Sequence, residues 1–290
     1  QYQYQYQYQY QYQYQYQYTM KKILVCTNCQ GDAIVKYLRN VPEFTQKYSV
    51  DWIKNWILLK TYDKQPYVNK LMECDVFIYQ PLKDKHGELS TETPNGLIQY
   101  LKPDCQLISF PYIYNSSYWP FFHHVSEGDE FHPGLTGFKM TNRDVLDNLF
   151  QNHEKHKIYA MYQDDKIDFK YKDNFKITMD KLRENELATT IKVVDYIVEN
   201  HTTRRLFLTK DHPTKYILIY CANKILELLN INDRLDESKF TENYHGMPDS
   251  SYNRPDNKWP ITEQCAKELG LHYHDEDAKS FWLSILASIK

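Results

Sequence analysis

The feature that most constrains this chain is a change of hydrophobic period just after Lys22. Ile23-Leu24-Val25-Cys26 is an unbroken apolar run, short enough for a buried strand, and it stops at the turn-forming pair Thr27-Asn28. From Cys29 the spacing becomes helical: Ile34, Val35, Leu38 and Val41 recur along one stripe before Pro42 closes the segment. A strand that is apolar on both faces needs cover on both faces, which is the habit of parallel sheets flanked by helices. The alternation then repeats. A second strand is expected around Trp52–Leu58, a helix at Pro66–Glu73, a buried strand at Asp75–Tyr79, a short helix at Pro94–Leu101 and a strand at Gln106–Phe110 ended by Pro111. Arg205–Leu208 reads as a further strand, followed by a helix at Tyr216–Leu229 whose first turn Pro213 suits. The expected fold is therefore α/β, a three-layer sandwich around a mostly parallel sheet of about five strands, with additional helices.

Around this frame the chain organises simply. Residues 1–19 begin with a pure Gln-Tyr alternation, which lacks the varied apolar residues of a core and is prone to stack with copies of itself. It reads as a low-complexity leader or tag, with Met20 the expected natural start and 20–290 one α/β domain. Residues 113–140 are rich in aromatics, His, Gly and Pro with little periodicity, as expected of a lid or binding loop. Residues 142–200 read as a helical insertion, with Leu187, Ile191, Val194, Ile197 and Val198 as the apolar stripe of its last long helix. Helices near Thr262–Leu269 and Asp275–Ile289 close the chain.

Composition excludes several function classes. A net charge of −3 supplies no field for nucleic acid or an anionic membrane. No apolar run is long enough to span a bilayer, and no signal peptide precedes Met20. The six cysteines are dispersed through a long chain, a pattern of reduced thiols and not of a disulfide framework. The expectation is a cytoplasmic protein; the sequence is silent on oligomeric state.

In an open parallel sheet, ligands sit outside the carboxyl ends of the strands. The residues at those ends are Thr27-Asn28-Cys29-Gln30, Tyr79-Gln80-Pro81-Leu82 and Phe110-Pro111-Tyr112, expected to share one crevice. Cys29 opens a helix, where unpaired N–H groups and the positive end of the dipole favour a thiolate and can hold an oxyanion. A small apolar plug beneath the turn is the bland alternative. Cys26 and Cys29 also form a C-x-x-C pair, compatible with redox chemistry or half a zinc site, although no second such pair exists to complete one and no metal is expected. His212 follows the last strand and can act as a base, or merely cap the helix beginning at Pro213; Asp211, adjacent in sequence, is an unconvincing orienter. Gln80 and Asn28 can donate to an oxyanion or close their own turns, and Gln30 offers a backbone N–H. Arg204-Arg205 and Lys210 can meet phosphates, although charges at a strand end are commonly just solvated. His123-His124 and His132-Pro133 stand in the irregular stretch as substrate-binding candidates. No Gly-rich phosphate loop is present, which argues against Rossmann and P-loop chemistry.

Taken in order, Thr27-Asn28-Cys29-Gln30, Asp75 through Gln80-Pro81-Leu82, Phe110-Pro111-Tyr112, Arg183-Glu184 and Leu206 through Thr214 resemble the WcbI-like family of capsular-polysaccharide-biosynthesis acetyltransferases, from about Lys22 to about Leu229. In that family the first motif usually reads Gly-Asn-Cys-Gln; here Thr27 replaces the glycine. The resemblance implies an SGNH-hydrolase-like, flavodoxin-like core in which Cys29 stands where those hydrolases have a serine. It implies binding of CoA or acetyl-CoA as acyl donor, and transfer of acetyl to a sugar, sugar nucleotide or polysaccharide precursor. Catalysis would centre on Cys29 and His212 with Gln30 and Gln80, and cofactor contacts on Asn28, Tyr112, Lys210 and Arg205. The hydrolases pair Asp and His three positions apart; here Thr209 holds the Asp position, so the third triad member stays open. An SGNH-like esterase or deacetylase, and a non-catalytic carbohydrate-binding module using the aromatics of Tyr112–Phe122, are the alternatives.

Overall fold

A computed structural model of the chain describes residues 20–119, 122–124, 138–140, 145–240 and 258–288. The Gln-Tyr tract, expected to be a leader or tag, and His132-Pro133 lie outside them. The chain divides into two compact units, one running to Ser109 and including Asn223–Leu235, the other made of Phe110–Ala222 and the residues from Asp236 onward.

The first unit is built on strands β1 (Lys21–Thr27), β2 (Tyr48–Lys54), β3 (Val76–Tyr79) and β4 (Gln106–Ser109), all parallel, in the order β2-β1-β3-β4. Helices α1 (Cys29–Leu38), α2 (Pro42–Lys47), α3 (Asn55–Thr61) and α4 (Val68–Glu73) provide the crossovers. The α/β architecture read from the sequence is thus present, with a four-stranded parallel sheet flanked by helices. Leu24, Cys26, Ile53, Leu71, Phe77 and Leu97 pack into one buried core cluster. Three local expectations shift. The second strand starts at Tyr48 and ends at Lys54, and Asn55–Leu59 begins a helix in which Leu58 alone is buried. The Pro94–Leu101 segment narrows to a 3₁₀ turn at Leu97–Tyr100. Phe207–Thr209 (β7) pairs antiparallel with His212–Pro213 (β8) and is not a member of the four-stranded sheet.

The strand order places a topological switch between β1 and β3: the chain leaves β1 for β2 on one side and returns to β3 on the other. The registers bring Cys26 level with Tyr79, and Tyr79 level with Ser109, so Asn28 and Gln80 leave the sheet side by side. At that exit Gly31 is buried against Thr27; a Cβ on Gly31 would lie 1.9 Å from Thr27 Oγ1 and 2.7 Å from its Cβ. The Thr27 side chain fills the space that a residue larger than glycine would need in the first turn of α1.

The second unit contains the short strands Phe122–His124 (β5) and Phe138–Met140 (β6), then α5 (Leu146–Asn152), α6 (Lys155–Gln163), α7 (Tyr171–Glu186) and α8 (Val194–Asn200), the β7–β8 hairpin, and α9 (Lys215–Leu228), which carries the chain back into the first unit. Helices α10 (Glu263–Leu269) and α11 (Ala278–Ser288) follow, α10 capped by Thr262 Oγ1 and ended by Gly270 at φ 67°. The expected helix through Leu187–Val198 is broken. Leu187 is 80% exposed, and buried Glu186 accepts from the N–H groups of Val193 (2.7 Å) and Val194 (3.2 Å), which starts a new helix there. Trp119 and Trp282 both donate their indole N–H to Pro260 O, at 3.0 and 2.9 Å.

The fit of Gly31 against Thr27 makes a testable pair. Gly31→Ala is expected to cost about 1–3 kcal/mol by overpacking. The same change in a Thr27→Gly background should cost under about 1 kcal/mol, a coupling that urea unfolding of the four proteins of the cycle measures. Equal penalties in both backgrounds would remove Thr27 as the cause.

Candidate active site

Cys29 occupies the first helical position of α1, half-buried, with Asn28 as its N-cap. Asn28 is extended (φ −78°, ψ −166°) and its Oδ1 accepts from Gln30 N at 2.9 Å. Gln80 ties this turn to the neighbouring strand: its Oε1 accepts from Asn28 N at 2.9 Å, its Nε2 donates to Gln30 Oε1 at 2.9 Å, and its own N–H donates to Cys26 O at 3.1 Å. Gln30 and Gln80 are both buried, so these bonds satisfy polar groups that water does not reach. The structure therefore brings Asn28, Gln30 and Gln80 together around Cys29. It also modifies their expected roles. The Gln30 N–H is already engaged by the cap, and Asn28 acts as a turn-former. Cys26, by contrast, is sealed in the sheet, where burial pushes its thiol up to about 12. A C-x-x-C redox centre needs both sulfurs accessible, and Cys26 is not.

The second unit assembles the other candidates on the β7–β8 hairpin, whose turn is Lys210-Asp211. His212 Nδ1 lies 2.6 Å from Thr209 Oγ1 and 3.5 Å from Asp211 Oδ1. Thr209 Oγ1 in turn makes a long bond to Asp211 Oδ1 at 3.4 Å, and Tyr112 O–H donates to Asp211 Oδ2 at 2.9 Å. With the threonine hydroxyl directed at the carboxylate, Nδ1 carries the proton and donates to Thr209, which leaves Nε2 as the basic nitrogen. Burial holds His212 below the ordinary histidine range, with Asp211 opposing it in part, so the ring is neutral near pH 7. Asp211 is thus a partner of His212 after all: at a hairpin turn, successive side chains do not alternate as they do along a strand. Nor does His212 cap a helix at Pro213, because α9 begins at Lys215. Lys210 is half-buried, its ammonium lowered from the usual range by desolvation.

Arg205 departs from its expected place among phosphate-binding groups. It is buried, and its Nη1 donates to both oxygens of Asp275 (3.0 and 2.7 Å) while Nη2 donates to Trp259 O at 2.7 Å. Burial raises Asp275, but Arg205, Lys258 and the Ile261 N–H outweigh it and hold the carboxyl below its usual range. Arg205 is a strut of the second unit. Sequence reading passed over Asn115, which is fully buried; its N–H donates to Lys210 O at 2.7 Å and supports the hairpin turn, while its Oδ1 accepts from the Ser117 N–H and hydroxyl at 2.9 and 2.6 Å. Asn-Ser-Ser after a proline-ended strand was the available signal. Among the described residues, no cluster of three or more His, Cys, Asp or Glu is arranged to hold a metal ion, and no helix is long and apolar enough to cross a membrane.

Comparison with known proteins places this geometry. A family model for the polysaccharide biosynthesis enzyme WcbI matches residues 22–234. The chain belongs to the WcbI family. A solved structure described as WcbI, a novel polysaccharide biosynthesis enzyme, in a native form without the disulfide bond between CoA and one of its cysteines, superposes with a TM-score of 0.67. It is 17% identical and the match covers 93% of this chain and 89% of that one. No curated protein matches the sequence significantly. The WcbI-family match includes Cys29, Gln80 and the Thr209–His212 hairpin.

Two measurements check the site's construction. Gln80→Leu strands the Asn28 N–H and the Gln30 amide oxygen and should cost about 2–4 kcal/mol, against about 1 kcal/mol for Asn28→Ala, which loses only a cap. Denaturant midpoints ranking the two the other way would discard the amide lattice as a support. Because the folded-state His212 pKa is depressed, its stabilising contribution is full above about pH 6.5 and is lost as pH falls through the lower folded value. Wild type should lose more stability across that window than His212→Gln, measured by urea unfolding at closely spaced pH values.

Proposed function

We propose that this WcbI-family chain is an acyltransferase that moves an acetyl group from acetyl-CoA to a hydroxyl or amine on a sugar, sugar nucleotide or polysaccharide precursor. The observation that carries the reading is Cys29: a half-buried thiol at the first turn of a ten-residue helix, on the switch point of a parallel sheet, framed by three fixed amides. Family membership supplies polysaccharide biosynthesis, and the solved relative described by reference to a CoA–cysteine disulfide supports CoA as the donor.

In this reading His212 Nε2 takes the Cys29 thiol proton and the thiolate adds to the thioester carbonyl. The C–S bond to CoA then breaks, the CoA sulfur recovers the proton from His212, and the acetyl group rests on Cys29. The acceptor hydroxyl or amine next yields its proton to Nε2 and attacks the acetyl-cysteine; Cys29 leaves as thiolate and is reprotonated. The backbone N–H of Cys29 and the Gln80 amide are assigned the oxyanion. Thr209, with Asp211 behind it, is a positioning residue that fixes the tautomer of His212. The stacked pair Tyr112–Tyr114, with ring centroids 5.8 Å apart, and the Lys210 ammonium are assigned to the ligands.

Titration with CoA, acetyl-CoA and unrelated nucleotides should raise the melting temperature for the CoA compounds alone. Acetyl-CoA with a set of sugar acceptors should give ping-pong kinetics, and Cys29→Ala should lower kcat by at least about a thousandfold, as losses of covalent nucleophiles do. Thr209→Val should lower kcat about ten- to a hundredfold with little change in KM and shift the pH profile, and Thr209→Ser should restore both. Substantial turnover by Cys29→Ala would point to direct transfer with His212 as base. Release of acetate from p-nitrophenyl acetate with none transferred from acetyl-CoA would make the protein an esterase.

A further inference from the structure

The opposite end of the same sheet carries a close pair of thiols. Cys74 ends α4 just before β3, and Cys105 directly precedes β4, the neighbouring strand. Both therefore stand at the amino ends of the strands, away from the edge that bears Cys29. Their sulfurs are 3.7 Å apart. Cys74 is buried, its thiol also within reach of Leu71 O at 3.3 Å, and Cys105 is half-buried. The backbone around the pair is fixed: Asp75 O accepts from Gln106 N at 2.9 Å, and Cys105 N donates to Lys102 O at 3.0 Å. Lys102 Nζ is anchored on Asp75 Oδ1 at 2.5 Å, which places an ammonium beside the two sulfurs.

We propose that Cys74 and Cys105 form a peroxide-sensitive dithiol, a reversible oxidation site independent of the acyl-transfer centre. Cys105 is the attacking sulfur: it is the more exposed of the two, and the contact with the Cys74 sulfur and the Lys102 ammonium favour its thiolate against burial and the carboxylates of Asp75 and Asp104. Cys74, held as the thiol by its bond to Cys105 and by burial, is the resolving partner. The Cys105 thiolate attacks one oxygen of hydrogen peroxide, the O–O bond breaks, and Cys105 becomes a sulfenic acid while the other oxygen leaves as water with the proton from the medium. The Cys74 sulfur then attacks the sulfenic sulfur, the S–O bond breaks, and a second water departs with the Cys74 proton. Two thiols and one peroxide yield a disulfide and two waters. Closing the bond needs the sulfurs to move from 3.7 Å to about 2.05 Å, a shift within side-chain rotation at two adjacent strand ends. The disulfide would close a loop around β3 and the segment leading to β4. A dithiol carrier or glutathione would reopen it.

The full-length protein, and a Cys29→Ser form that removes the site thiol from competition, would be treated with hydrogen peroxide, alkylated and digested without reduction. The expected product is a cross-linked peptide pair containing Cys74 and Cys105, with a 2 Da loss in intact mass that dithiothreitol reverses. Cys74→Ser should instead stall at the sulfenic acid, trapped by dimedone on Cys105, and Cys105→Ser should leave Cys74 alkylatable after the same treatment. The proposal is overturned if peroxide leaves both thiols alkylatable, if Cys105 is driven to sulfonic acid with Cys74 still free in the wild type, or if Cys74 is oxidised equally in Cys105→Ser.

Discussion

The site depends on one constraint: amides buried where a parallel sheet reverses its winding direction must find partners among themselves. At the exit of β1 and β3 the ladder has ended and Gln30 and Gln80 are buried, so the Asn28 N–H, the Gln30 N–H and the two glutamine side chains need a local solution. Asn28 and Gln80 supply it, one closing the turn and the other reaching across from the next strand. Glutamine suits the position because it carries both an acceptor and donors on one neutral group; a carboxylate there would oppose the Gln30 oxygen, and an aliphatic chain would satisfy nothing. The consequence is a fixed entry angle for α1, and hence a fixed position for the Cys29 sulfur. The geometry of the thiol is inherited from a hydrogen-bond problem in the sheet.

The first-turn contact shows how the turn accommodates Thr27, whose side chain has to go somewhere. It lies against Gly31, whose missing Cβ leaves the volume, and its hydroxyl contacts Asn28 O at 3.0 Å.

Much of this was legible in the sequence. Apolar runs at Ile23–Cys26 and Val76–Ile78 announced their strands because burial on both faces leaves no other reading, and the strand ends then pointed to Asn28, Cys29 and Gln80. Legibility failed where tertiary contacts decide. Trp52–Leu58 alternates like a strand, yet β2 ends at Lys54 because the turn into α3 begins there. Leu187 fits the helical stripe of its neighbours but is left exposed once Glu186 folds over the start of α8. Arg205 looked like a phosphate ligand because nothing in its flanks reveals a carboxylate seventy residues away. Asp211 was discounted because it adjoins His212 in sequence, yet the two-residue turn leaves its carboxylate 3.5 Å from Nδ1. Each error concerns a partner distant in sequence or a local bend, neither of which periodicity encodes.

Under the proposed acyl transfer, two features of the candidate site make sense together. A serine nucleophile has to be deprotonated from a very weak acid, and the carboxylate behind its histidine stabilises the imidazolium that forms. A thiol is already far more acidic, near 8.5 when unperturbed, so the demand on its base is much smaller. In the proposed mechanism the nucleophile is Cys29, and Thr209, a neutral hydroxyl, fixes the His212 ring through Nδ1. Asp211 keeps a carboxylate one hydroxyl further back, itself held by Tyr112. Burial lowers the basicity of His212 and leaves the ring neutral at neutral pH, the state the proposed base needs. Under the proposed cysteine mechanism, the neutral hydroxyl of Thr209 therefore suffices where a serine nucleophile would call for a carboxylate.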